Sequence, residues 1–180
     1  MALLSTPARA RRFFDRLAPL YEGINRRLYR PEWLAIVRDH IHGSRVLDVG
    51  VGTGYTTGHL DGAVGIDLSR EMLRRAQYRG DLVRADFLHP PLREGSFDTV
   101  LFAGSLYYLP NPTASLRIAS TLLRPGGTVV ILAPATRALA PVVHVLSRDD
   151  YADLMAAAGL YMESFRQLGR VACFAVGRKA

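Results

Sequence analysis

Short apolar runs alternate with segments of helical periodicity along most of this 180-residue chain. The runs that predict strands are RVLDV, AVGID, DLVRAD, FDTVLFAG and TVVILA, followed near the C-terminus by LYMESFRQL and RVACFAVG. Strands that alternate with helices are typical of a doubly wound parallel sheet. The last two runs are joined by Gly169 and predict an antiparallel pair at the sheet edge.

Two helices are predicted before the first strand. The first has an apolar stripe opposite a row of arginines. The stripe consists of Phe13, Phe14, Leu17, Leu20 and Tyr21, and the arginines are Arg9, Arg12 and Arg16. The second helix is expected to begin near Pro31, because proline suits the first helical position.

The helices between the later strands have recognisable caps. Ser69 is expected to cap the helix REMLRRAQY, and Ser147 with Asp150 resembles a capping box for DYADLMAAAG, which Gly159 ends. The remaining expectations are a short helix around 55–60, a helix around 113–123, and a turn formed by RPGG before the fifth strand.

The stretch VLDVGVGTG, from Val46 to Gly54, carries the most specific chemistry. A buried strand runs into a glycine-rich turn, with Asp48 near the strand end, and a second acid, Asp67, ends the next apolar run. Glycines in such a turn let the backbone approach a ligand closely. The pattern predicts a nucleotide-type site at the carboxyl edge of the sheet.

The charge of the loop indicates which ligand it binds. A dinucleotide site must receive a pyrophosphate at this turn, and the Asp48 carboxylate would oppose that anion. An ammonium and a sulfonium, as in S-adenosylmethionine, suit the carboxylate instead. Asp67 lies about 20 residues beyond the loop, the separation expected for an acid that binds ribose hydroxyls.

Composition bounds the class of protein. The length predicts one domain, and the single cysteine, Cys173, excludes a disulfide framework or a cysteine zinc cluster. No apolar stretch suits a spanning helix, so we expect a cytoplasmic protein. The formal charge of +7 favours anionic partners without identifying them, and no histidine spacing predicts a metal site.

Taken together, these motifs resemble those of class I S-adenosylmethionine-dependent methyltransferases, from about Tyr21 to the C-terminus. VLDVGVGTG and GIDLSREML resemble the first two family motifs, and LLRPGGTVVIL resembles the motif at strand five. The resemblance implies a Rossmann-like, seven-stranded α/β sheet with the last strand antiparallel. We expect a single domain, 1–180, in which a helical cap, 1–42, precedes the cofactor-binding core, 43–180.

The resemblance also implies a binding site for S-adenosylmethionine and its product, S-adenosylhomocysteine. Its methionine end is expected at Asp48, Gly50 and Gly52. The remaining implied positions are Asp67 for the ribose, Leu68, Asp86 and Phe87 for the adenine, Ala103 and Gly104 for the floor near the sulfonium, and Ser69 and Met72 as weaker candidates.

The N-terminal segment FFDRLAPLYEGINRRLYRPEW is similar to the opening of quinone-biosynthesis C-methyltransferases and of some small phospholipid N-methyltransferases. The resemblance implies that Tyr21 closes over the cofactor and bonds its methionine carboxylate; simple helix packing is the alternative. The segment after strand five, from Pro134 to Leu146, is shorter than in the quinone enzymes. Its apolar sequence, with the N-terminal stripe, favours an acceptor with a hydrophobic body.

Methyl transfer from a sulfonium needs mainly alignment of the nucleophile and exclusion of water. Tyr107 and Tyr108 follow strand four and are candidates to orient the acceptor, and His144 is the candidate base. For each of the three, packing or exposure is the alternative explanation.

Other functions stay open at this point. The charge prompts a nucleic acid methyltransferase, but AGSLYY after strand four lacks the Pro-Pro-aromatic run of exocyclic-amine enzymes, and no nucleic-acid module is present. A non-catalytic adenosylmethionine-binding protein and an NAD-dependent reductase are further alternatives. A small-molecule acceptor is the preferred partner, and the sequence leaves a homo-oligomer open.

Overall fold

The computed structural model describes residues 6–143 and 145–180, without the side chains of Leu28 and Arg137. Its seven strands form one sheet in the order β3-β2-β1-β4-β5-β7-β6. The strands are β1 Val46–Val49, β2 Val64–Asp67, β3 Asp81–Arg84, β4 Phe97–Ala103, β5 Leu123–Pro134, β6 Leu160–Leu168 and β7 Ala172–Lys179. The predicted seven-stranded, doubly wound sheet is confirmed.

Strands β1 to β5 pair in parallel, and β7 pairs antiparallel with both β5 and β6. The antiparallel last strand was the sequence expectation, and it is confirmed. Strand order reverses at β1, which lies between β2 and β4. Chain connections leave this point in opposite directions, so a crevice opens at the carboxyl ends of these strands.

Five α-helices accompany the sheet, namely α1 Pro7–Leu28, α2 Pro31–Asp39, α3 Arg70–Arg75, α4 Pro112–Leu122 and α5 Arg148–Ala157. The hydroxyl of Ser69 accepts from the amide of Met72, as predicted for the cap of α3. The predicted capping box of Ser147 and Asp150 is also present at α5. Such side chains satisfy backbone amides that have no partner within the helix.

The two faces of the sheet pack on different helices. On one face, Val37 of α2 packs with Leu101 and Phe174. On the other face, Leu116 of α4 and Met155 of α5 belong to the larger cluster. None of the helices described is long and apolar enough to cross a membrane.

The helix expected around 55–60 does not form, and residues 52–59 make a series of turns instead. Gly58 explains the difference, because a β-carbon there would lie 2.1 Å from the carbonyl oxygen of Gln77. The segment after α3 thus lies directly against these turns, and it bonds to them through the amides of Gln77 and Arg79. Glycine is also a weak helix former.

Two smaller expectations were also wrong. RPGG lies within β5 rather than before it, since Leu123 already pairs with Phe97 and regular pairing resumes where Thr128 meets Thr99. The predicted apolar stripe of α1 is also displaced. Phe13 is 42% exposed and Leu20 68%, because the inward face of α1 follows Phe14, Ala18, Tyr21 and Asn25 at helical spacing.

Candidate cofactor site at the carboxyl edge of the sheet

A cavity of about 790 Å³, counted with its mouth open to solvent, lies between α1 and the carboxyl ends of β1, β2 and β4. Eleven of the fifteen residues predicted for the site line it: Tyr21, Gly50, Gly52, Asp67, Leu68, Ser69, Met72, Asp86, Phe87, Gly104 and Tyr108. A cleft lined mainly by apolar side chains, with a few polar groups, has the usual form of a small-molecule site. The cavity lies at the edge of the sheet where the sequence predicts a ligand site.

Asp67 is held in place by the backbone around it. Its carboxylate accepts hydrogen bonds from the amide of Gly52 at 2.9 Å and from the amide of Ser69 at 2.8 Å. Since a carboxylate offers about four lone-pair sites, two remain for ligand hydroxyls. Burial raises the pKa of Asp67 above its usual range.

The neighbouring end of the cavity has an apolar side. Leu68, Met72 and Phe87 line it, together with Asp86, whose carboxylate accepts from the amide of Leu88. Phe87 is buried and packs edge-on against Phe102 of β4. This end therefore offers an apolar slot with acidic acceptors beside it, which is the chemistry an adenosine requires.

The glycine turn closes the middle of the cavity. Gly50 and Gly52 have φ values of +70° and +57°, a region that favours glycine. A β-carbon at Gly50 would lie 2.6 Å from Cβ of Ser105, and one at Gly52 would lie 3.4 Å from Cε1 of Tyr21. A side chain from the segment after β4 and one from α1 thus lie directly against the turn.

Asp48 does not line the cavity and lies beneath the glycine turn. It is 2% exposed, and its carboxylate accepts from the hydroxyl of Thr57 at 2.6 Å. Burial is the main reason that the pKa of Asp48 is raised to about 7, with a further contribution from Asp67. One buried and one half-buried acid in this region favour a cationic ligand group over an anionic one.

Aromatic side chains line the end of the cavity beyond the turn. Phe14 of α1 contacts the rings of Tyr21 and Tyr108 edge-on, with centroids 5.8 and 4.9 Å apart. Tyr107 packs on Tyr108 at 4.4 Å, and the hydroxyl of Tyr29 donates to the carbonyl of Ala103. Burial raises the pKa of all four tyrosines, so that each phenol is neutral near pH 7.

Helix α1 is fastened over the cavity by a polar contact as well. The hydroxyl of Ser69 donates to the carboxylate of Asp15 at 2.6 Å, while the same hydroxyl caps α3. The contact joins α1 to the segment that follows Asp67. The N-terminal helix therefore forms one wall of the site.

Three predicted site residues lie away from the lining of the cavity. Asp48, Ala103 and Tyr107 are not among the residues that line the cavity. His144 lies outside the described residues. The sequence reading missed Phe14 and Ser105 as lining residues; Ser105 directly follows predicted strand four, and the strand-edge rule alone could have found it.

The comparisons with known proteins agree with this geometry. A family described as a methyltransferase domain matches residues 47–131. An uncharacterized protein of Methanocaldococcus jannaschii is 32% identical over 66% of this chain and 59% of its own length. A ubiquinone biosynthesis O-methyltransferase of Bordetella avium is 31% identical over 56% of this chain and 46% of its own. The chain thus spans about half the length of these curated relatives.

Solved structures share the fold over nearly the whole chain. A methyltransferase from Thermotoga maritima, described as a possible histamine N-methyltransferase, covers 94% of this chain and 99% of its own, with TM-score 0.80 and 20% identity. Residues 47–131 thus match a methyltransferase domain family, and the chain has the fold of an S-adenosylmethionine-dependent methyltransferase. The methyltransferase domain match and the sheet topology together carry that assignment.

Two further neighbours bear on the methyltransferase fold. The geranyl diphosphate C-methyltransferase of Streptomyces coelicolor, solved with S-adenosylhomocysteine, covers 83% of this chain and 79% of its own, with TM-score 0.71 and 14% identity. The [4+2]-cyclase SpnF covers 97% of this chain and 96% of its own, with TM-score 0.82 and 15% identity. The methyltransferase fold therefore also occurs in a protein named for another reaction.

Proposed function

We propose that this protein transfers the methyl group of S-adenosylmethionine to a small-molecule acceptor with a hydrophobic body. The observation that carries the proposal is the division of one cavity into two parts. One part has Asp67 and the glycine turn, and the other is lined by aromatic and apolar side chains. A polar cofactor and an apolar acceptor would meet where the two parts join.

The cofactor half of the proposal assigns roles to the predicted residues. Asp67 binds the ribose hydroxyls, and Leu68, Asp86 and Phe87 surround the adenine. Gly50, Gly52 and Tyr21 hold the methionine part. Met72 packs at the nucleoside end, and Asp48 attracts the cationic part of the cofactor from beneath the turn. Ala103 and Gly104 form the floor near the sulfonium.

The second half of the proposal concerns the acceptor, and it is based on the opposite wall of the cavity. Phe14, Tyr108, Leu109 and Pro110 line it, and burying an apolar acceptor against such side chains is favourable. A relative named for ubiquinone biosynthesis and a neighbour named for geranyl diphosphate are consistent with lipophilic acceptors. We also propose a cytoplasmic location, and this part of the proposal is based only on the composition of the chain.

The residues of this chain act by positioning. The acceptor atom forms a bond to the methyl carbon while the carbon–sulfur bond breaks and its electron pair stays on sulfur, giving S-adenosylhomocysteine. Alignment and exclusion of water supply most of what such a displacement needs. Helix α1 covers the cavity, and Tyr108, with Tyr107 behind it, orients the acceptor as a neutral hydrogen-bonding group rather than as a base.

The first test is calorimetric titration of the protein with S-adenosylmethionine, S-adenosylhomocysteine and NAD. We expect micromolar binding of the first two only, and a loss of about 100-fold or more in Asp67→Ala, because the ribose hydroxyls lose a buried charged partner. Asp81→Ala is the matched control, since this exposed acid begins the neighbouring strand β3. Absence of binding by either sulfur compound overturns the proposal.

The second test is methyl transfer from radiolabelled S-adenosylmethionine to a panel of quinols, isoprenoid and acyl compounds, amines and RNA. We expect transfer to a lipophilic member of the panel. Transfer to RNA with a steep dependence on salt would favour the nucleic acid alternative. Tight cofactor binding with no transfer would favour a non-methylating protein on this fold, as the name of the cyclase neighbour illustrates.

A further inference from the structure

The solvent side of α1 has apolar and cationic side chains in a single row. Residues that recur at spacings of three and four lie on one side of a helix. The exposed residues that form this row, called the outer face of α1, are Arg9, Phe13, Arg16, Leu20, Gly23 and Arg27. Leu20 is 68% exposed and Phe13 42%. Two large apolar side chains thus lie in solvent between arginines.

The other side of the same helix is already occupied by the protein. Phe14 and Tyr21 line the cavity, and Ala18 and Asn25 are buried. The outer face therefore points away from the cavity and is separated from it by one helix diameter, about 10 Å. No other part of the chain that the structure describes covers Phe13 and Leu20 fully, although both are large apolar side chains.

The charge of α1 is strongly unbalanced. The helix contains six arginines and two acids, and each acid is engaged away from the outer face. Asp15 accepts from the hydroxyl of Ser69 at 2.6 Å, and Glu22 forms an ion pair with Arg26 at 2.8 Å. Because arginine is always charged at neutral pH, the outer face is cationic.

This combination of side chains selects the kind of partner. A second copy of the chain would bring the same arginines face to face, since a two-fold interface pairs identical surfaces. Nucleic acid would satisfy the arginines, but it offers aliphatic Leu20 no base to stack on as an aromatic ring does. An anionic bilayer accepts both groups, with arginines at the phosphates and apolar side chains at the boundary with the acyl chains.

We propose that the outer face of α1 docks on the surface of an anionic lipid bilayer, with Phe13 and Leu20 inserted between the headgroups. The arginines of the face bind the lipid phosphates. The proposal goes beyond the proposed function, because docking needs neither the cofactor nor an acceptor. A lipophilic acceptor held in the bilayer would lie about one helix diameter from the cavity.

The test measures partition of the full chain onto lipid vesicles by sedimentation. Vesicles of equimolar phosphatidylglycerol and phosphatidylcholine are compared with vesicles of phosphatidylcholine alone. We expect partition onto the anionic vesicles to be about 100-fold stronger, because each arginine near the surface contributes about fivefold. Added salt should weaken this binding, since it screens exposed charges.

The charged part of the face is tested by Arg9→Gln combined with Arg16→Gln. We expect partition onto anionic vesicles to fall about 25-fold, or about fivefold for each arginine. The matched control is Arg45→Gln combined with Arg93→Gln, which removes the same charge from two exposed positions. These lie near the amino ends of β1 and β4, at the sheet edge opposite the cavity, so we expect a change below about twofold.

The apolar part of the face is tested by Leu20→Ala. We expect partition to fall about fivefold, because less apolar surface leaves water on docking. Tyr161→Ala is the matched control, since Tyr161 lies on the edge strand β6 and is 52% exposed. Fluorescence adds a direct measurement: brominated acyl chains should quench the added tryptophan in Phe13→Trp and not in Tyr161→Trp.

Each outcome supports or overturns the docking surface. Equal partition of wild type onto both kinds of vesicle overturns it, and so does an equal loss in the two arginine pairs. Unchanged partition of Leu20→Ala also overturns it, because the face would then not enter the interface. Binding to RNA that the Arg9 and Arg16 pair loses and Leu20→Ala retains would identify a nucleic acid surface instead.

These measurements contain no cofactor. Their failure therefore leaves the proposed function to its own calorimetric titration, and a failed titration leaves the docking surface to the vesicles. Thermal unfolding of every variant checks that it remains folded.

Discussion

The two ends of the cavity are built in different ways. At the nucleoside end, Asp67 is fixed by two backbone amides within fifteen residues or so of it along the chain. At the aromatic end, Phe14 of α1 meets Tyr108, which follows β4, more than 90 positions later. The first end depends on local backbone geometry, whereas the second depends on the packing of distant elements.

This difference predicts how each end responds to change. At the nucleoside end, substitutions that add atoms to the glycine turn should be strongly unfavourable, because the turn is closely packed and its backbone conformation favours glycine. The aromatic end should lose affinity gradually as contacts are removed, since dispersion and burial are distributed over several rings. The following variants test that contrast, in order of expected effect.

Gly50→Ala should have the largest effect. Residue 50 has a positive φ, and the new β-carbon would approach Cβ of Ser105 to 2.6 Å. We therefore expect the variant to lose about 3 kcal/mol of folding stability. We also expect its affinity for the cofactor to fall by about 100-fold or more. Gly95→Ala is the matched control: φ is +60° there, and nothing lies within 4 Å of a β-carbon.

For Gly95→Ala we expect only the backbone cost of about 1 kcal/mol and unchanged binding. Urea unfolding and calorimetry measure both quantities. Similar losses in the two variants would contradict the close approach of Ser105 to the turn.

Asp48→Asn should change the pH dependence of the glycine-turn region. The folded-state pKa of Asp48 is about 7 against an ordinary 3.8, so its contribution to stability is present below about pH 4 and is lost as pH rises through 7. Asp48→Asn lacks this loss of stability, and we expect it to be more stable than wild type at pH 8 by about 4 kcal/mol.

Cofactor binding extends the same prediction. A cationic ligand favours the ionised carboxylate, so the affinity for S-adenosylmethionine should rise about 10-fold between pH 6 and 8 in wild type and stay level in Asp48→Asn. 5′-Methylthioadenosine, which lacks the charged groups, is the control ligand. If the affinity of Asp48→Asn still changed with pH, the assignment of this pH dependence to Asp48 would be contradicted.

Phe14→Ala tests the aromatic end. We expect about 2 kcal/mol of lost stability and a dissociation rate of S-adenosylhomocysteine about fivefold faster, because α1 is then held less firmly over the cavity. Phe13→Ala, at the neighbouring and 42% exposed position, should change stability by less than about 0.5 kcal/mol. Stopped-flow release measures the rates, and equal rates in the two variants would argue against α1 as a cover.

Tyr21→Phe should have the smallest effect. It removes only the phenol oxygen and keeps the ring that rests on Gly52, so the Kd of S-adenosylhomocysteine should rise about threefold. 5′-Methylthioadenosine binding should not change if the hydroxyl bonds the methionine carboxylate. Tyr161→Phe, an exposed tyrosine of β6, is the control, and no change in either ligand would leave Tyr21 as a packing residue.

Sequence reasoning succeeded where a signal was local. The succession of strands along the chain and the caps at Ser69 and Ser147 follow from short stretches with a known geometry. It failed at residues 55–60, where the sequence predicted a short helix. The contact of Gly58 with Gln77 was not visible in the sequence. That contact joins segments from two connections, and no pattern within either one encodes it.

The sequence by itself determined the doubly wound sheet, the ligand edge and the acidic, glycine-rich turn, because strand periodicity and turn chemistry act over a few residues. Only the tertiary structure decided which face of α1 turns inward and that Asp48 lies beneath the turn instead of lining the cavity. It also decided that Ser105 lies against Gly50, with a hydroxyl that has no partner among the described residues. Those features depend on how distant segments fit together at close-packed density, and a side chain's partners are set by that fit rather than by its neighbours along the chain.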